Sequence, residues 1–322
     1  MRKALVVGIN SYLQYPLSSC IKDANDIVSL LERHENGEKN FTVKKKLDIE
    51  TKGELKSLIV DCFSGNADIA LLYFSGHGCI DSIGGYLVTP DYTKYDWGVS
   101  MQEILTIIND SKCKNRIVIF DCCNSGFLGS INTTGQSTST ISEGVTILTA
   151  SLPTESAVEI NGHGIFTSLL IDALAGGASD LTGSITPGGV YAYIDKSLGP
   201  WEQRPVFKTN VTRSIVLRKV KPQIDMSVIR KLTTYFTDKN SYFKLDPSFE
   251  PTNTPLGNHE LIEPYADDKN TKIFFDFQKM VKVGLIVPCD EEHMYFAAMN
   301  SKSCKLTSVG KHYWRLVKDE II

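Results

Sequence analysis

The sequence predicts an α/β protein: a mainly parallel sheet with helices on both faces, followed by a smaller α+β region. Three observations lead there. Short apolar, β-branched runs end abruptly in Gly and Ser, as at Ile69–Phe74 before Ser75-Gly76-His77-Gly78, and at Arg116–Phe120 before Asp121-Cys122-Cys123-Asn124-Ser125-Gly126. That is the pattern of buried parallel strands ending at loops. Segments with helical spacing separate these runs, which implies right-handed crossovers. Near residue 218 the pattern changes class, from alternating strand and helix to helices followed by short strands.

Leu5–Ile9 opens the sheet. Cys20–His34 reads as a helix, with Ile21, Ala24, Ile27, Val28, Leu30 and Leu31 at helical spacing. Phe41–Leu47 is a more polar strand and belongs near an edge. Thr51–Phe63 is a helix that starts near Glu50 or Thr51 and stops before Gly65. Ile69–Phe74, Ile117–Phe120 and Val145–Ala150 are strands, and Val99–Ile108 is a helix. Phe166–Leu174 is a helix stopped by Gly176-Gly177. Val190–Leu198 is a further helix, and Pro205–Thr209 closes the sheet. Between Phe127 and Gly144 the composition turns to Gly, Ser, Thr, Asn and Gln, which predicts a flexible loop directly after the cysteine pair.

This organisation gives a first domain over 1–217, a linker over 218–226 and an accessory domain over 227–322. In the last, Val228–Phe236 and Thr271–Val283 read as helices. Leu285–Pro288 and Met294–Ala298 read as a hairpin turning at Cys289–Glu292. Helices followed by a hairpin, with Leu306-Thr307-Ser308-Val309-Gly310 before aromatic residues, resemble a winged helix-turn-helix domain. The hairpin carries Asp290, Glu291 and Glu292, so an acidic wing is expected to contact protein rather than nucleic acid.

The bulk numbers narrow the classes. With 322 residues, 42% hydrophobic content and a formal net charge of -3, the chain lacks the basic excess of a general nucleic-acid or membrane-surface binder. No apolar stretch reaches the roughly 18 to 20 residues that span a bilayer. Met1-Arg2-Lys3 runs straight into a strand without a cleavage site, so no signal peptide is expected. The eight cysteines have no regular spacing and no Cys-x-x-Cys pair, so they read as reduced thiols in a cytoplasmic protein without structural zinc.

In an open α/β sheet, chemistry collects beyond the carboxyl ends of the strands. His77 ends one such strand and Cys123 follows another. A free thiol titrates near pH 8.5, so a thiolate nucleophile at neutral pH needs an imidazole beside it. Glycines flank His77 and leave the Gly78 N–H open, and with the Cys123 N–H it can form an oxyanion hole. Gly162-His163-Gly164 repeats the tripeptide but follows a polar segment, so His163 reads as a loop residue near a helix start.

Ser75-Gly76-His77-Gly78 together with Asp121–Gly126 resembles the caspase-fold peptidases, and within them the metacaspase branch. The resemblance covers residues 3–217 and includes Val7-Gly8-Ile9-Asn10-Ser11-Tyr12, Leu17-Ser18-Ser19-Cys20-Ile21-Lys22-Asp23-Ala24 and Gln203-Arg204-Pro205. It implies that Cys123 is the nucleophile and His77 its partner. It also implies cleavage after Arg or Lys, with Asp23 and Asp121 reading the P1 cation and Cys20 and Ser75 lining the same pocket. The departure is Asn124, where metacaspases usually carry histidine; the dyad mechanism does not require that histidine. Calcium activates many relatives through an acidic cluster, but here only Asp81, Asp91 and Asp96 are scattered after His77, so no cofactor is expected.

No Lys or Arg occurs from Ile117 through Asp195, so an enzyme with this specificity cannot cut its own post-cysteine loop. A single-chain enzyme gated by a protein partner at residues 222–322 is the expectation, with Lys44-Lys45-Lys46 and Arg218-Lys219-Val220-Lys221 as its accessible basic sites. Prokaryotic members of this kind often serve in stress death or antiphage defence. The alternative is a catalytically silent caspase-fold scaffold that binds protein or DNA through its C-terminal domain; an intact Cys/His pair counts against it.

Overall fold

The computed structural model describes residues 1–122, 131–133, 136–138, 140–150, 159–160, 163–199, 204–255 and 261–322. The chain divides into two compact units, Met1–Lys221 and Pro222–Ile322.

The first unit runs β1 (Arg2–Gly8), α1 (Cys20–Glu32), β2 (Thr42–Leu47), α2 (Lys52–Phe63) and β3 (Ile69–Ser75). An excursion of short strands follows, β4 (Gly78–Ile80), β5 (Gly85–Thr93) and β6 (Asp96–Ser100), and then α3 (Met101–Asp110) and β7 (Asn115–Asp121). A small pair, β8 (Ile131–Thr133) and β9 (Gln136–Thr138), precedes β10 (Val145–Thr149). Next come β11 (Glu159–Ile160), β12 (His163–Gly164), α4 (Ile165–Asp172), β13 (Ser184–Ile185), α5 (Pro187–Ser197), β14 (Val206–Asn210) and β15 (Arg218–Lys219).

The main sheet has the order β14-β10-β7-β3-β1-β2. Its strands are parallel except β14, which pairs antiparallel with β10. Alternation along each strand sends Val6, Tyr73 and Ile119 into a core under α1, α4 and α5. It sends Val7, Phe74 and Phe120 into the opposite core under α2 and α3. Both faces are covered, which is why these strands are continuously apolar. α1 rests directly on β1 at Gly8, where a Cβ would lie 2.3 Å from the Cys20 carbonyl oxygen. Any side chain there would lever the helix off the sheet.

Several local expectations change. Val99 belongs to β6, because Ser100 and Glu103 form a capping box that starts α3 at Met101. Where a flexible loop is expected over 127–144, the described residues include the antiparallel pair β8 and β9. The basic segments expected to be open to proteolysis are held in strands instead. Lys44–Lys46 lie within β2, parallel to β1. Arg218–Lys219 pair with β13, and the Arg218 guanidinium donates to the Leu174 and Arg33 carbonyls. The Lys221 N–H is bound by the Glu35 carboxylate.

The second unit comprises α6 (Met226–Arg230), α7 (Leu232–Tyr235), β16 (Tyr242–Lys244), α8 (Asp268–Lys282), β17 (Ile286–Cys289), α9 (Met294–Met299), β18 (Ser303–Leu306) and α10 (Ser308–Lys318). Its antiparallel sheet has the order β16-β18-β17, over a core in which the Phe243 and Phe277 rings meet at 4.8 Å. The expected hairpin over 285–298 is not formed. Met294–Ala298 is helical and buries Met294, Ala297 and Ala298, the spacing of one helix face. β17 therefore pairs with β18 beyond that helix, and Asp290–Glu292 lie in the connection into α9. No described helix is long and apolar enough to cross a membrane.

Candidate active site

Strand register assembles one edge of the site. Gly8 pairs with Ser75, and Ser75 with Asp121, so the three form a row where β1, β3 and β7 end. Ser75 and Asp121 share the α1 face with Tyr73 and Ile119. The close seat of α1 on Gly8 brings its first turn over this row. Cys20, Asp23, Ser75 and Asp121 are accordingly all buried there. The Ser75 hydroxyl donates to Asp23 Oδ2 at 3.2 Å. Burial, together with the negative charges of Asp121 and Asp23, pushes the Cys20 thiol up to about 12, although a hydrogen bond with Ser75 opposes this. Cys20 therefore stays neutral in this row. Asp121 faces Gly164, where a Cβ would lie 2.7 Å from Oδ2. Below, the Tyr73 hydroxyl meets Thr167 Oγ1 at 2.6 Å and ties β3 to α4.

His77 follows two residues beyond Ser75. Gly76 has no room for a side chain, since a Cβ would come 2.6 Å from the Tyr12 hydroxyl. That hydroxyl sits inside the β4–β5 ladder. The Val88 N–H donates to the His77 carbonyl at 3.0 Å, but the return bond is replaced by a relay. The His77 N–H donates to Tyr12 Oη at 3.0 Å, and Tyr12 donates onward to the Val88 carbonyl at 3.3 Å. Burial keeps the phenol neutral, as this double role requires. The two rings also pack, with centroids 4.6 Å apart.

The imidazole is oriented by a backbone group. His77 Nε2 lies 2.7 Å from the Tyr15 carbonyl oxygen. A carbonyl only accepts, so Nε2 carries the proton and Nδ1 presents the lone pair. In an antiparallel pair, bonded and non-bonded positions alternate. His77 and Val88 occupy a bonded position, so Gly78, opposite Leu87, turns its N–H away from β5.

Tyr12 and Tyr15 ride on the loop after β1, and Asp48 at the end of β2 holds that loop. Its carboxylate accepts from the Asn10 N–H at 2.8 Å, the Ser11 N–H at 3.0 Å and the Ser11 hydroxyl at 2.9 Å. Burial raises its pKa, but these three bonds outweigh that and leave it below the usual carboxylate value. Depression in the folded state means the stabilisation is present above the unfolded pKa and lost as pH falls through the folded one, below about pH 4. In melting curves from about pH 6 down to about pH 2.5, the gap between wild type and Asp48→Asn is expected to close toward acid. Parallel curves would remove this role.

Cys123, Asn124, Ser125, Gly126 and Gln203 lie outside the described residues. Cys122 is buried on the opposite face of the sheet, in the core with Phe120. Burial pushes the Cys62, Cys79 and Cys304 thiols up to about 12, and Asp81 adds to this at Cys79. No described cysteine is in a disulfide. His163 lies in β12, paired with Ile160, at the start of α4. The carboxylates after His77 have local partners: Asp81 accepts from the Ile83 and Gly84 N–H groups, Asp91 from the Lys52 N–H, and Asp96 pairs with the Lys52 ammonium.

A family model described as a caspase domain matches residues 1–213. Similar solved structures include a caspase-1 from Spodoptera frugiperda, 14% identical with a TM-score of 0.49, the match covering 68% of this chain and 90% of that one. Another is a protein from Geobacter sulfurreducens, 17% identical with a TM-score of 0.49, covering 68% of this chain and 97% of that one. No curated protein matches the chain.

Proposed function

We propose that this chain, which belongs to the caspase-domain peptidase family, is a cysteine endopeptidase that cleaves proteins after Arg or Lys. The observation that carries the reading is the meeting of an oriented imidazole with two buried carboxylates at one edge of the sheet. Cys123 Sγ attacks the scissile carbonyl, and its proton passes through His77 Nδ1 to the leaving amine. Tyr15 holds Nε2–H throughout, so a single nitrogen does the exchange. The N–H groups of Gly78 and Cys123 hold the oxyanion, and water then releases the acyl group. The neutral state of Cys20, Cys62, Cys79 and Cys304 and the core position of Cys122 favour Cys123 as the nucleophile.

Asp23 and Asp121 share a site that rewards a guanidinium or ammonium and rejects a P1 carboxylate. The absence of Lys and Arg from 117 to 195 favours a single-chain enzyme. The bounding Arg116 is buried, and its guanidinium donates to the carbonyls of Ile108, Cys113, Lys114 and Glu143. Activation then falls to a protein partner engaging residues 222–322. The test is hydrolysis of matched peptides ending in Arg, Lys or Asp, with and without calcium, by wild type and Cys123→Ala. Arg or Lys cleavage lost in the variant is expected; Asp cleavage would overturn the pocket, and cleavage surviving in Cys123→Ala would overturn the nucleophile.

A further inference from the structure

The loop carrying Tyr12 and Tyr15 has a second side. Its residues from Asn10 to Ser19 include no charged side chain. Tyr12 points inward to His77, whereas Leu13 is 91% exposed and Tyr15 is 79% exposed. The loop is not loose. Asp48 holds its start, Tyr12 is buried in the core, the Leu17 N–H returns to the Asn10 carbonyl at 3.0 Å, and Tyr92 donates to Gln14 Oε1 at 3.3 Å. Tyr92 is itself stacked on Trp97. Leu13 and Tyr15 are therefore presented to solvent by an anchored backbone. Tyr15 also sits at φ 60°, where an aromatic residue is strained and glycine would be at ease. Strain and apolar exposure meet at Tyr15, whose carbonyl holds the imidazole, and apolar exposure recurs at Leu13, next to Tyr12.

We propose that Leu13 and Tyr15 form an apolar subsite for the substrate residue on the leaving side of the scissile bond. This rests on the dyad described above. In acylation the S–C bond forms, the C–N bond breaks, and the thiol proton reaches the leaving nitrogen through the imidazole. The residue bearing that nitrogen must therefore lie against His77, and Tyr15 stands on the far side of the same ring. An apolar or aromatic side chain that reaches past the imidazole to this loop covers Leu13 and Tyr15. A carboxylate would lose water against an uncharged apolar wall and gain no partner.

Quenched peptides identical up to the scissile Arg, with Leu, Phe, Gly or Asp directly after it, test the assignment on the full chain. Wild type is expected to prefer Leu and Phe over Asp by about ten-fold in kcat/KM. Leu13→Lys, at a surface position, is expected to move the Leu-to-Asp ratio about ten-fold toward Asp. Labelling of Cys123 by an arginyl chloromethyl ketone, which presents nothing on the leaving side, reports on the dyad separately. Labelling with a flat profile, or with a ratio unmoved by Leu13→Lys, overturns the subsite alone. Cleavage that persists while Cys123 stays unlabelled overturns the dyad and the subsite with it.

Discussion

Replacing His77 by alanine is expected to lower kcat/KM on an Arg peptide by about 10²- to 10⁴-fold, the range a positioned acid–base group contributes. The imidazole makes two contributions: it takes the thiol proton, and it returns a proton to the amine. The first can be replaced by solvent. A thiol left alone ionises near pH 8.5, so His77→Ala activity should climb through that range, unlike that of wild type. The second cannot be replaced, so the alkaline rate should stay well below wild type. Adding Cys123→Ala to His77→Ala should cost little beyond Cys123→Ala, because the two groups act as one unit. Wild-type rates in His77→Ala, or a pH profile of unchanged shape, would end the dyad reading.

The second large effect concerns the acidic row. Asp121→Asn keeps the shape of the side chain and removes its charge, and the same holds for Asp23→Asn. Truncating one partner of a buried, hydrogen-bonded charge pair costs about 2–5 kcal/mol, or roughly 30- to 5000-fold in kcat/KM for an Arg substrate. Stability should move the other way. Both carboxylates are buried, at 1% and 7% exposure, and a buried charge costs desolvation that a neutral amide does not. Neutralising either one should leave the melting temperature equal or raised while activity on Arg peptides falls. This opposition marks a site kept for its substrate at the expense of the fold. An unchanged preference for Arg in both variants would mean the row is structural.

Much of this architecture is legible in the sequence, and the misreadings have identifiable causes. Ile69–Phe74 and Ile117–Phe120 are apolar on both faces and end in small residues, so their parallel setting follows from composition alone. The β4–β6 excursion is not legible, because β5 contains Pro90 and Asp91 and shifts register between Val88 and Thr93. The α9 segment was hidden by Tyr295 and Phe296. They fill the polar side of the helix with apolar residues and erase the 3.6-residue period that Met294, Ala297 and Ala298 would otherwise show.

The site divides in the same way. Asp23, Ser75 and Asp121 stand in motifs, and register brings them together. Tyr15 acts through a backbone carbonyl, which no residue type advertises. Asp48 acts on Asn10 from 38 positions away through the β1–β2 pairing. In the sequence only its place directly after a strand hints at a structural task; the structure adds a backbone at φ 48°.

The three lysines of β2 have a consequence of their own. β2 is an outer edge of the main sheet, and a bare strand edge is a template on which another chain can crystallise its backbone. Here the pleat sends Lys44 and Lys46 to one face, toward Asp61 and Glu54, and Lys45 to the other, toward Asn25. An incoming strand would meet ammonium groups above and below the hydrogen-bonding plane, whichever way it ran. The residues that look in the sequence like an invitation to cut are, in the fold, what keeps this border of the sheet solitary in a crowded solution.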